Sequence, residues 1–149
     1  MQTMIRLEVV PQAGIYSAGI NETVVALIME CREIMQQYFG GNLSGPRHPG
    51  PYNDSKLDRS LAGSTYPHEC FFGFTDETQL RTWFYSDQML QEFDDRGVTL
   101  ACYQVTKRYD GNTQTCAPLE DKTPENVVWR ISLNEFLTKG VPIDNKVAS

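Results

Sequence analysis

Apolar side chains fall into two rhythms along the chain, one of period two and one of period three to four. Met4–Val10 alternates weakly and is rich in β-branched residues, which predicts a strand closed by Pro11, with a second short strand or turn at Gly14–Ala18. Asn21 then offers an N-cap, with Glu22 in the first turn. Val24, Leu27, Ile28, Cys31, Ile34, Met35 and Tyr38 follow at helical spacing, predicting an amphipathic helix closed by Gly40 and Gly41. Cys70–Phe74 predicts a short apolar strand. Thr75 then caps a helix that buries Leu80, Trp83 and Phe84. Ser86–Asp87 starts another helix, through Met89, Leu90 and Phe93, which stops at Gly97. Val98–Val105 and Val127–Leu133 are further strands, with a turn at Asp110–Gly111–Asn112, a polar stretch 113–124 that is hard to place, and a helical turn at Asn134–Lys139.

Residues 40–68 break both rhythms. The run is dense in Gly, Pro, Ser and Asn, with one helical turn near Lys56–Leu61. Structureless loops of this length are uncommon in compact domains and are usually functional or disordered. The order of elements does not alternate as a doubly wound sheet requires. It predicts one α+β domain over residues 1–149, a mostly antiparallel sheet carrying two main helices, with a frayed tail at 140–149.

Composition narrows the chemistry. A chain of 149 residues with 40% hydrophobic residues is large enough and apolar enough for a core. The formal net charge of −6 disfavours broad nucleic-acid binding, but a local basic pocket for one small anion survives it. The four cysteines, Cys31, Cys70, Cys102 and Cys116, include no C-x-x-C pair, and the histidines are only two, so no structural zinc spacing is present. Reduced, buried thiols in a cytoplasm are the expectation, with no metal and no cofactor. MQTMIRLEVVPQ lacks the apolar core of a signal peptide, and no apolar stretch approaches the ~18 residues of a membrane span.

No complete catalytic signature is present: neither a G-x-S-x-G elbow, nor a phosphate-binding glycine loop with lysine, nor H-E-x-x-H. A small ADP-ribosyltransferase needs a cation for pyrophosphate, hydroxyls for a ribose and a carboxylate for the oxocarbenium-like centre; Arg6, Ser64–Thr65 and Glu135 stand in that order. A binding pocket for a nucleotide-like anion needs guanidinium forks and ring faces instead. Arg47 with His48 in the long loop, Arg81 beside Trp83, Arg108 at a strand end and Arg130 within a strand supply the first. Phe72 and Tyr103, with Phe71 and Tyr109 nearby, supply the second, and Asn112 could read a base edge.

The stretch CFFGFTDETQLRTWFYSDQMLQEFDDRGVTLACYQV, residues 70–105, resembles a pattern of small uncharacterised bacteriophage proteins: an F-x-F-x-[ST] strand end, a Q-L-R-x-W-F helix and G-[VF]-x-L-x-x-Y-x-V. An upstream R-H-P-x-P-x-x-D segment, here Arg47 to Asp54, extends the resemblance. Such proteins act early in infection and many blunt host defences. One such class, the anti-Thoeris sponges, is similar in size and in mixed α+β character; its members hide cyclic ADP-ribose signals and assemble as homo-oligomers. The resemblance implies a non-enzymatic protein of the host cytoplasm that sequesters a cyclic nucleotide-like immune signal. A protein that binds and inhibits a host protein, and the ADP-ribosyltransferase, are the alternatives.

Overall fold

The computed structural model describes residues 2–14, 21–39, 54–61 and 69–142. The fold is α+β, and every strand pairing is antiparallel. Strand β1 (Gln2–Val10) turns through Pro11 and Gln12 into the short β2 (Ala13–Gly14). Helices α1 (Glu22–Phe39) and α2 (Ser55–Leu61) precede β3 (Cys70–Gly73). Helices α3 (Glu77–Trp83) and α4 (Asp87–Asp95) lead to β4 (Thr99–Val105), and β5 (Tyr109–Asp110) and β6 (Thr115–Pro118) form a hairpin. Two 3-10 turns, Leu119–Asp121 and Pro124–Asn126, connect to β7 (Val127–Ser132) and α5 (Leu133–Lys139).

The strands make two sheets rather than one, ordered β2-β1-β4-β7 and β3-β6-β5. The stretch 113–124 escapes a periodicity reading because only Thr115–Pro118 of it is a strand, and its burial runs continuously through Thr115, Cys116 and Ala117. Sandwiched between layers, a strand loses the polar face that would mark it.

Alternation along β1 assigns its side chains. Ile5, Leu7 and Val9, with Leu100 and Cys102 of β4, face α1, α3, α4 and α5 and form the main core with Ile28, Met35, Leu80, Phe93 and Phe136. Met4, Ala101, Tyr103 and Val105 face the second sheet and meet Phe71 and Ala117. Beyond that sheet, α2 lays Leu57 and Leu61 on Cys70 and Cys116. The sheets touch where Ile5 and Phe74 exchange backbone hydrogen bonds of 2.9 and 2.7 Å.

The expected caps are present at Asn21, whose side chain accepts from Val24 N–H at 3.0 Å, and at Ser86, which accepts from Met89 N–H. At α3 the cap is Asp76 rather than Thr75: Asp76 is extended and accepts from Gln79 N–H at 2.9 Å. Thr75 instead donates its N–H to the Gln79 side chain at 2.8 Å, one residue outside the cap. The predicted closure at Gly40–Gly41, the run 15–18 and most of the 40–68 loop lie outside the described residues; within that loop the helical turn predicted near Lys56–Leu61 is α2.

Candidate anion-binding site

One buried cluster of charge stands out, between the two sheets at the β2 end of β1. It follows from register. Arg6 on β1, Ala101 on β4 and Arg130 on β7 lie side by side in one row across the sheet. Ala101 has a methyl group between two long cations, which leaves room above it. Glu8 from the row on one side and Tyr103 from the row on the other reach into that room, and the Tyr103 hydroxyl donates to Glu8 Oε2 at 2.7 Å. Arg130 Nη1 sits 2.7 Å from Glu8 Oε1 and also donates to Thr99 Oγ1 at 3.0 Å. Arg6 Nε stands 3.3 Å from Glu8 Oε2. Gln12, held at φ 67°, closes the ring by donating its N–H to Glu8 Oε1 at 3.1 Å.

Glu8 is fully buried, and its oxygens accept from the Tyr103 hydroxyl and Gln12 N–H and pair with Arg130 Nη1, with Arg6 beside them. Its role here is that of a counter-ion. Tyr103, also fully buried, has its pKa pushed up to about 12 by burial first and by Glu8 second, so it remains a neutral donor.

Arg6 is the group left over. It is 6% exposed, with its guanidinium over the Phe71 ring at 5.3 Å to the centroid. On the other side it presses on Gly14, where a Cβ would lie 2.3 Å from Nη2, so only glycine leaves the guanidinium its place. Its buried Nε and Nη1 make no hydrogen bond among the described residues. Burial lowers its pKa first; the Glu8 charge offsets that in part, and Arg130 adds to the lowering. Lys122, just past the 3-10 turn Leu119–Asp121, is within electrostatic reach of the same group: burial and then Arg6 press its pKa down, against Glu8. Three cations therefore share one carboxylate in a low-dielectric space. Such an excess favours an anion.

Of the residues singled out by sequence, Arg6, Phe71, Tyr103 and Arg130 meet here. Arg81, Arg108, Asn112 and Phe72 do not. Arg81 pairs with Asp87, donates to Phe84 O at 3.3 Å and lies over Phe136, on the helical side of the first sheet. Arg108 pairs with Asp110 at 2.7 Å and donates to Thr3 O at 2.7 Å. Thr3 and Glu8 are separated along β1 by about 16 Å at a strand rise of roughly 3.3 Å per residue. Asn112 spends its backbone N–H on Asp54, and its side chain is exposed in the β5–β6 turn. Phe72 points away from the cluster, towards Leu57 and Cys116, and its strand neighbour Phe71 takes the place expected of it. Arg47 and His48 lie outside the described residues.

The transferase constellation is not assembled: Arg6 faces the second sheet whereas Glu135 sits on α5, which packs on the opposite face through Leu133 and Phe136. Ser64 and Thr65 lie outside the described residues. Among the described residues, no group of three or more His, Cys, Asp or Glu could hold a metal ion, and no helix is long and apolar enough to cross a membrane. None of the four cysteines forms a disulfide, and all are buried.

Glu8, Lys122 and Gly14 were missed by sequence reasoning. The only local signal was Arg6 and Glu8 at i and i+2 within the otherwise apolar run Met4–Val10 of the strand. That pattern reads as a solvated face unless a second sheet is known to cover it.

Compared with known proteins, the chain matches a family model described as Bacteriophage T4 Y00F protein over residues 1–132. No curated protein and no solved structure matches it.

Proposed function

We propose, starting from a chain that belongs to the bacteriophage T4 Y00F protein family, that this phage protein binds and sequesters a small nucleotide-like anion, a cyclic nucleotide-like signal of host defence, in the host cytoplasm. The observation that supports this reading is the buried Glu8 carboxylate flanked by Arg6 and Arg130, with Lys122 within electrostatic reach. Guanidinium groups match phosphate oxygens in geometry and charge, and they gain most where water is excluded. On this reading the anion seat lies at one row across the first sheet, with Tyr103 and Arg130, rather than at a convergence that also includes Arg81 and Arg108.

Capture without chemistry fits the same geometry. Glu8, the carboxylate beside the cations, already accepts from Tyr103 and Gln12 and pairs with Arg130, and Tyr103 is held protonated. Calorimetry with cyclic ADP-ribose isomers and with cyclic di- and trinucleotides tests the reading. At least one should bind at micromolar concentration or tighter, be released unchanged on heating, and lose about tenfold in affinity with Arg130→Ala, the ~1.4 kcal/mol of a charged hydrogen bond. No heat with any of them, or recovery of a converted ligand, defeats it.

A further inference from the structure

We propose that Arg6 is the phosphate-recognising element of this site, and that the group it takes is a pyrophosphate or closely spaced pair of phosphoryl groups, shared with Lys122. The inference rests on the reading of the cluster as a ligand site given above and adds which atoms meet which part of the ligand.

Arg130 Nη1 is shared between Glu8 and Thr99, and the Tyr103 hydroxyl is given to Glu8. Arg6 Nη1 is buried and has no acceptor among the described residues. A buried guanidinium donor without an acceptor is costly, and proteins retain such groups where a ligand, ion or water completes them. The Phe71 ring against the guanidinium and Gly14 beside Nη2 restrict how the group can turn. The charge count sets the ligand class. Arg6, Arg130 and Lys122 against Glu8 leave an excess of two positive charges, 3 − 1, suited to a dianion rather than a monoanion. Lys122, half-buried with a depressed pKa, supplies a mobile point charge for a second phosphoryl group, as lysine does at phosphate sites.

The test is thermal unfolding of the full chain at fixed ionic strength with inorganic pyrophosphate, orthophosphate or chloride as the varied anion. Because a ligand of the native state raises stability with its free concentration, pyrophosphate should raise Tm in a saturating manner, orthophosphate less and chloride not at all. Arg6→Met should remove the pyrophosphate response. Should that variant fail to fold, Lys122→Gln should fold normally and weaken pyrophosphate about tenfold. Equal shifts with pyrophosphate and chloride, or an unchanged pyrophosphate response in Lys122→Gln, overturn the inference. The two readings separate cleanly. Saturable pyrophosphate binding with no cyclic nucleotide bound sinks the sequestration reading alone. Cyclic nucleotide binding that pyrophosphate does not displace sinks the Arg6 assignment alone.

Discussion

The Asp54 carboxylate accepts from Leu57 N–H, Asn112 N–H, Thr113 N–H and the Thr113 hydroxyl at 2.8 to 3.1 Å while almost wholly buried. It caps α2 and holds the β5–β6 turn with one side chain. Burial alone would raise its pKa, but the hydrogen bonds from Asn112, Thr113 and Leu57 outweigh that and hold it below the usual carboxylate range. With the folded pKa depressed, its stabilisation is present above the unfolded value near 3.8 and is lost as pH falls through the folded value. Asp54→Ala leaves three backbone donors without an acceptor. We expect a loss of about 2–4 kcal/mol in urea unfolding at pH 7 and a shallower acid limb below about pH 4.

Among elements, the helices stand on their caps and the two sheets on a close backbone approach. Ser86→Ala should cost about 1 kcal/mol, the usual value of an N-cap. Gly73 is a harsher position: a Cβ there would lie 2.4 Å from Ile5 O, the carbonyl that accepts from Phe74 where β3 crosses β1. Gly73→Ala must push the sheets apart or break that bridge. Its loss in chemical denaturation should exceed that of Ser86→Ala at least twofold, an ordering that reverses if the sheets are loosely joined. The β3–β6 pair also explains why Cys70 and Cys116 stay side by side yet inert: hydrogen bonding between the thiols, then burial, raise the Cys116 pKa far above the ordinary thiol value.

For the molecule as a whole, buried acids that keep their protons set the alkaline limit. Burial lifts Cys31 and Cys102 from 9.0 to about 11 and Tyr103 from 10.0 to about 12. Between those values the unfolded chain has released protons that the native one retains, so stability falls as pH rises. The urea midpoint should drop steadily from pH 9 towards pH 12, and Tyr103→Phe should flatten the upper part of that decline. An unchanged slope in the variant would place the loss elsewhere. The same burial predicts that the native chain resists a thiol reagent at pH 8, whereas all four cysteines react in denaturant.

Local rules were enough for β1, α1, α4 and β4, whose rhythm and caps depend on residues within a few positions of one another. They also singled out Tyr103 and Arg130, which the fold brings to the buried Glu8. They did not reach β6, Glu8, Lys122 or the row joining Arg6 to Arg130, because sequence order says nothing of which strand lies beside which. Arg6 and Arg130 stand far apart along the chain and come side by side only through the register of β1, β4 and β7. Alternation marks which residues share a strand face; only the covering sheet decides that this face is dry, and dryness is what turns ordinary surface charges into a site.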